Sequence, residues 1–403
     1  MDIDILCKVV DNYGDVGVAY RLARSLSELP DPPRLRLVVN DLPAFAAIDP
    51  EVDATKPVQR VRGWELYPWN GAGTGEAASA FRARRPKIVI ECFACGRPDW
   101  LEDILFDPAS EEGCLIVDLE HLTAEKYAED FHRMPSLTRS PFVKKAIFLP
   151  GFADGTGGLL MDESFARARS RASSESGRSA MRRELLARLG SSPSGPLFPA
   201  GSVPALAEDL FWISVFSYER DYARIVADLA AFGAGKPILV LAAAGKSSPC
   251  LASAWSAAGK PFPLVSLSFL PQEGWDEILL TSDFSIVRGE DSWARAALSG
   301  RPFLWQAYPQ EGRGHMVKVA AFLDRLRPYF APESSAALSA LEELYLSFND
   351  RERDGPEETG LESLLPVLSR RSELLPAFTV FSDSLAGRTD LASGLVTFLR
   401  EIV

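Results

Sequence analysis

The sequence predicts an α/β protein built from Rossmann-like domains, and three observations carry that prediction. Strand-like apolar runs alternate with helical patterns over the first 150 residues. A run rich in Ser, Pro and Gly follows at 191–204. A second strand–helix alternation begins near residue 211. Strands separated by helices pair in parallel, so each set is expected to form a doubly wound sheet. A chain of 403 residues also exceeds one ordinary core, which points to two or three domains.

The first apolar run, 3–10, leads into Asp11-Asn-Tyr-Gly-Asp-Val-Gly17. A helix is expected from about Val18, where Ala19, Leu22, Ala23 and Leu26 recur at helical spacing and Pro30 closes the segment. Residues 35–39, 87–91 and 115–119 read as further buried strands, each ending in polar residues. From Gly151 the texture changes. Gly155-Thr-Gly-Gly158 and the Ser-, Arg- and Gly-rich run 167–178 read as loops, and 191–204 as a linker. Strands are expected again at 211–216, 238–242, 264–266, 284–287 and 302–305. After Pro356 the pattern turns helical, and 391–403 is amphipathic enough to pack across a domain boundary. The expected domains are 1–185, with a C-terminal helix at 385–403 packing back onto it, and 205–375. Two Rossmann-like domains facing each other across a cleft describe the GT-B architecture of glycosyltransferases. They equally describe some epimerases and two-domain dehydrogenases.

A hydrophobic content of 47% with 24% charged residues is that of a globular protein. The net charge of -12 argues against a general nucleic-acid or membrane-surface binder, although the basic run 82–87 remains a local contact candidate. No apolar run reaches membrane-span length, and no basic-then-apolar signal pattern opens the chain, so a cytoplasmic protein is expected. Among five cysteines, Cys92 and Cys95 have redox or half-zinc spacing, but no second pair follows and Cys7, Cys114 and Cys250 are scattered. Buried thiols are the expectation. His121, His132 and His315 fit no metal-binding pattern and are expected to be structural.

The richest stretch is Phe284-Ser-Ile-Val-Arg-Gly-Glu-Asp-Ser-Trp-Ala-Arg-Ala296, read as a buried strand, a polar turn and a helix running to Gly300. Ser292 is expected to cap that helix, and its hydroxyl with the free first-turn amides would make an anion site. Arg288 adds a planar fork suited to phosphate oxygens. Glu290 and Asp291 can be dipole complements. That role leaves unexplained why a cation, two acids and a hydroxyl crowd into five residues at the carboxyl end of a strand, where ligands bind in open α/β sheets. The stretch is therefore read as a nucleotide-diphosphate site. Phe269, Gln272 and Trp275 could stack on and hydrogen-bond a base, Tyr308 follows the next strand, and Phe216 to Tyr218 follow the first strand of that domain. In the first domain, Gly14 and Gly17 permit a tight turn, and Asp11 and Asp15 offer two carboxylates four residues apart. The turn lacks a GxGxxG fingerprint, so nothing in it points to NAD or FAD. The two aspartates are either caps or a pair that holds and deprotonates an acceptor.

Taken together, Asp11-Asn-Tyr-Gly-Asp-Val-Gly-Val18, Phe216-Ser-Tyr-Glu219, Phe269-Leu-Pro-Gln272, Arg288-Gly-Glu-Asp-Ser292 and Tyr308-Pro-Gln310 resemble the bacterial protein-arginine rhamnosyltransferases of the EarP family. The resemblance runs in order from the first strand to beyond residue 310. It implies a GT-B inverting enzyme that moves L-rhamnose from dTDP-β-L-rhamnose to one arginine of elongation factor P, with no metal or other cofactor and with the factor's N-terminal domain as partner. By motif match, Asp11, Asp15 and Glu290 take the places of the family's essential acids. Phe269, Gln272 and Trp275 fall where it holds the thymine, with Trp275 standing where phenylalanine is usual. Arg288, Gly289, Asp291, Ser292 and Tyr308 fall where it holds the rest of the donor, joined by Tyr13, Gly14, Phe216 and Tyr218. The stretch 167–204 matches no family motif.

The residues suit that chemistry. A guanidinium with a pKa above about 12 has almost no nucleophilic lone pair at neutral pH. An aspartate can hold the fork and take its proton as the anomeric carbon becomes positive, a role expected of Asp15, with Asp11 and Glu290 orienting the acceptor. Arg288, Ser292 and helix amides would stabilise the leaving diphosphate, and no DxD motif accompanies them. Docking of the acceptor is expected on the first domain, near Asp11, Asp15, Asp41 and Glu91. The competing readings are a GT-B glycosyltransferase acting on a small molecule or glycan, and a nucleotide-sugar-binding protein without catalysis.

Overall fold

Strands that are apolar on both faces need cover on both faces, and the apolar runs of this chain are arranged that way. The computed structural model describes residues 1–9, 13–190, 209–350 and 363–402. Asp11, the 191–204 run and the first residues after Pro356 lie outside the described residues. The chain divides into two compact units, Met1–Glu163 with Arg388–Val403, and Ser164–Gly387.

The first unit holds β1 (Asp2–Cys7), β2 (Arg34–Val39), β3 (Gln59–Val61), β4 (Trp64–Pro68), β5 (Ile88–Cys92), β6 (Cys114–Leu119), β7 (Pro135–Ser136) and β8 (Val143–Phe148). Their order across the sheet is β3-β4-β2-β1-β5-β6-β8-β7. All neighbours are parallel except β3 on β4 and β7 on β8 at the two edges. Every residue of β6 is buried. On one face Ile3, Ile5, Leu37 and Val117 pack with Leu22 and Leu26 of the Gly14–Ser27 helix. On the other, Leu6, Val38, Val89 and Ile116 pack with Ala77, Phe81, Leu101 and Leu105. The Leu391–Ile402 helix completes the first of these cores with Leu395, Phe398 and Leu399. The Gly155–Gly158 loop receives it. Gly158 has φ 74°, and a Cβ there would lie 2.4 Å from the carbonyl oxygen of Thr389, so only glycine allows this approach.

The second unit holds β9 (Phe211–Val215), β10 (Ile238–Ala242), β11 (Leu264–Ser266), β12 (Phe284–Arg288) and β13 (Phe303–Gln306), in the order β11-β10-β9-β12-β13 and all parallel. The expected strand positions agree closely, with one shortening: β1 ends at Cys7, and the first helix starts at Gly14. The edge pairs β3–β4 and β7–β8 were not anticipated, because such short strands carry too little periodicity to stand out.

One expectation is overturned. The run 167–178 is not a loop: it belongs to two helices, Glu163–Ala172 and Glu175–Gly190, and from Ser164 these lie in the second unit. Its arginines, which gave it a solvated texture, bind the unit's interior. Arg178 and Arg182 grip Asp283 at 2.5 and 2.7 Å, and Arg182 Nε donates to the Thr281 carbonyl at 3.0 Å. Arg169 donates to the Leu298 carbonyl at 2.9 Å and pairs with Asp383 at 2.5 Å. Burial opposes ionisation of Asp283, but the two guanidiniums offset it and hold the carboxyl below its usual range.

Candidate active site

In the second sheet the connections from β9 run outward through β10 and β11, while β12 leads the other way to β13. The β9/β12 boundary is therefore the switch point, and ligands bind outside the carboxyl ends of such neighbours. Phe216 and Tyr218 follow β9, and Arg288 ends β12. The Arg288 guanidinium carbon lies 4.5 Å from the Phe216 ring centroid and 4.7 Å from that of Tyr218. Both distances are within cation–π reach. The wall extends on both sides. Tyr218 meets Tyr308 edge-on at 5.5 Å, and its N–H donates to Gln306 Oε1 at 2.9 Å. Phe216 meets Trp275 edge-on at 5.6 Å, and the Trp275 indole N–H donates to Ser292 Oγ at 3.1 Å. Six predicted donor residues thus form one contiguous strip, Tyr308–Tyr218–Arg288–Phe216–Trp275–Ser292.

The turn after β12 corrects the expected cap. Ser292 is not the N-cap: the helix is Glu290–Ser299, and Gly289 precedes it with φ 69° and ψ 174°. A Cβ on Gly289 would meet nothing within 4 Å, so backbone conformation and not space demands glycine. Ser292 is instead buried in the first turn as the acceptor for Trp275. Glu290 and Asp291 are the first two residues of the helix. Asp291 Oδ1 lies 3.9 Å from Nε of Arg295, which is wholly buried and also 3.7 Å from Asp276. Phe269 is 48% exposed and Tyr308 47%, two large rings left open to a ligand. Gln272 opens the Gln272–Thr281 helix. Neither Gln306 nor Arg295 was singled out from sequence. The position of Gln306 at the end of β13 was a usable signal, whereas nothing in the sequence marks Arg295 as buried.

In the first unit, Tyr13 is the N-cap residue of the Gly14–Ser27 helix and makes no side-chain cap bond, so Asp15 stands in the first turn and not at the cap position. Asp11 lies outside the described residues. Asp15 sits where β1 and β5 end. Burial pushes the Cys7 thiol up and the Asp15 carboxylate adds to it, and the same influences act on Cys92. Burial, with Glu91 next, pushes Cys95 up to about 12. These thiols stay protonated, and among the described residues no group of His, Cys, Asp or Glu is placed to hold a metal. His132 Nδ1 accepts from the Leu149 N–H at 3.1 Å, and His315 Nδ1 from Gln310 N–H at 3.1 Å, both structural bonds.

Two residues expected near the docking surface have other work. Asp41 caps the Leu42–Ile48 helix, accepting from the Ala44 N–H at 2.8 Å. Glu91 is 1% exposed and bonded to Arg97 and, at 3.0 Å, to Lys145, which also pairs with Asp118 at 3.0 Å. In the basic run 82–87, Arg84 pairs with Glu65 and Lys87 with Glu112 at 2.6 and 2.8 Å. No described helix is long and apolar enough to cross a membrane.

A family model described as the elongation-factor P (EF-P) rhamnosyltransferase EarP matches residues 3–400. The protein-arginine rhamnosyltransferase of Pseudomonas putida is 32% identical over 98% of this chain and 98% of its own. That of Shewanella oneidensis is 30% identical over 99% of this chain and 97% of its own. A solved structure, described as the structural basis for EarP-mediated arginine glycosylation of translation elongation factor EF-P, matches with TM-score 0.57 and 23% identity, all of both chains being covered. UDP-GlcNAc 2-epimerase from Neisseria meningitidis, bound to UDP-GlcNAc, matches with TM-score 0.52 and 8% identity, again over the whole of both chains. At these identities the structural matches speak to the two-domain Rossmann-like fold alone.

Proposed function

We infer the reaction from the family: this chain belongs to the EarP family of EF-P rhamnosyltransferases, and its activity is transfer of L-rhamnose from dTDP-β-L-rhamnose to one arginine side chain of elongation factor P. The observation that carries the donor half of this reading is the strip at the β9/β12 switch point, where the Arg288 guanidinium carbon lies over the Phe216 and Tyr218 rings. Arg288 brings a planar, permanently charged fork that suits diphosphate oxygens. Phe269, Gln272 and Trp275 take the thymine. Tyr308, Asp291, Gly289 and the first-turn amides take the sugar and phosphates.

Transfer is a single displacement with inversion. A guanidinium nitrogen of the acceptor attacks the anomeric carbon as the bond from that carbon to the diphosphate oxygen breaks. The proton released from that nitrogen passes to Asp15, and the departing electron pair stays on dTDP. Asp11 and Glu290 orient the guanidinium and offset developing positive charge. Arg288, Ser292 and the amides at the start of the Glu290–Ser299 helix stabilise the leaving diphosphate, in a mechanism that uses no metal.

The test is to incubate the protein with dTDP-rhamnose and elongation factor P and read the intact mass of the factor. A gain of one deoxyhexose, lost when the factor's target arginine is replaced by lysine, is the expected result. An unchanged mass would return the chain to a transferase with another acceptor or to a binding protein.

A further inference from the structure

A cavity at the carboxyl edge of the first sheet has no part in the transfer chemistry. It is an open depression of about 700 Å3, and its walls include Lys8, Trp69, Thr74, Arg97, Asp99 and Trp100. Three strand ends build it: Lys8 directly follows β1, Trp69 directly follows β4, and Arg97 lies in the turn after β5. The Trp100 indole is tied to the main chain beside it, since its Nε1 donates to the Trp69 carbonyl at 3.1 Å. Arg97 is clamped from behind by Glu102 at 2.5 Å and by buried Glu91. The site thus sets two tryptophans beside charged and polar groups, and its size takes a side chain with its flanks.

Charge narrows the occupant. Glu91 and Glu102 neutralise Arg97. Asp99 begins the Asp99–Leu105 helix, where its charge complements its own helix end. Lys8 is exposed, and its ammonium has no ion pair or hydrogen bond among the described residues. Of the two cations in the wall, Lys8 is the one with no carboxylate partner among the described residues.

We propose that this cavity receives an acidic side chain of the acceptor protein, presented next to the arginine that is modified. The proposal rests on the reading of the chain as a transferase with a folded protein acceptor. Lys8 directly follows β1 and Asp15 stands in the first turn of the next element, the Gly14–Ser27 helix, so an acceptor whose arginine reaches Asp15 lays its neighbouring surface over these strand ends. A guanidinium alone cannot distinguish one arginine from another, and a second, charge-matched contact supplies that distinction.

The experiment measures transfer with elongation factor P varied at saturating dTDP-rhamnose. Lys8→Glu raises KM for the factor at least about tenfold, while KM for dTDP-rhamnose stays within about twofold. Lys8→Arg keeps the acceptor KM within about threefold, because the charge is retained. Trp69→Ala also raises the acceptor KM. Acidic residues of the factor's N-terminal domain are then replaced singly by lysine, and one of these variants lowers the KM of the Lys8→Glu enzyme. Normal transfer with an unchanged acceptor KM in Lys8→Glu, or no rescue by any lysine variant, overturns the subsite alone. Absence of transfer by the wild-type protein overturns the function and the subsite with it.

Discussion

Arg288 shows how much a single side chain depends on the strand ends around it. Its charge could have been supplied by lysine, but its guanidinium carbon lies 4.5 and 4.7 Å from the Phe216 and Tyr218 ring centroids, within reach of both π faces. Arg288→Lys keeps the charge and loses the planar guanidinium, so affinity for dTDP should fall by about 1–2 kcal/mol in calorimetric titration. An unaltered affinity would mean that only the charge matters. Asp15 is the second residue to test. With the carboxylate made an amide, Asp15→Asn should keep dTDP binding and lose at least about 10²-fold in kcat, the low end for a general base. Near-normal turnover would leave Asp15 as a complement to its helix. At this scale the sequence was legible wherever polar residues interrupt an apolar strand end, as at Arg288 to Ser292. It misled at Ser292, because a residue that caps helices well on average yielded the cap position to Gly289, whose φ of 69° the turn requires.

At the scale of elements, strands with continuous apolar runs were readable and the arginine-rich helices were not. Hydrophobic periodicity identifies a helix only when apolar side chains do the packing. In Glu163–Ala172 and Glu175–Gly190 the buried apolar residues, Phe165, Met181, Leu185 and Leu189, are diluted by Arg169, Arg178 and Arg182, which reach carbonyls and Asp283. A different polar contact joins the Tyr127–Phe131 helix to the end of β8. His132 follows that helix, packs edge-on against Phe148 at 4.6 Å and accepts from the Leu149 N–H. Burial, with Arg133 next, pushes its pKa down to about 4. The unfolded chain takes up the proton first, near pH 6.5, so this contribution is whole above about pH 6.5 and is lost as pH falls towards 4. His132→Gln should therefore show a smaller loss of urea midpoint between pH 7 and pH 5 than the wild-type protein. Equal losses would show that His132 does not titrate with folding.

At the scale of the whole molecule, the chain leaves the first unit at Glu163, builds the second, and returns at Arg388. The returning Leu391–Ile402 helix was legible from its amphipathic pattern, but the Gly158 contact that admits it was not, because close backbone approach leaves no periodic trace. Leu395 and Leu399 of that helix are fully buried against strands laid down at the start of the chain. The first core is thus incomplete without a helix that follows the whole of the second unit in sequence. The donor strip, by contrast, lies wholly within residues of the second unit. This separation gives a prediction that neither residues nor elements supply alone. Leu395→Asp buries a carboxylate in an apolar core and should destabilise the first unit by about 3–5 kcal/mol or more. Scanning calorimetry of the variant should then show a first-unit transition displaced to lower temperature. Saturating dTDP should raise only the other transition, because ligand stabilises the unit that binds it. Transfer to elongation factor P should be lost at temperatures between the two. If the variant instead unfolds in one transition and dTDP moves all of it, the units are energetically one body and the donor site depends on the C-terminal helix.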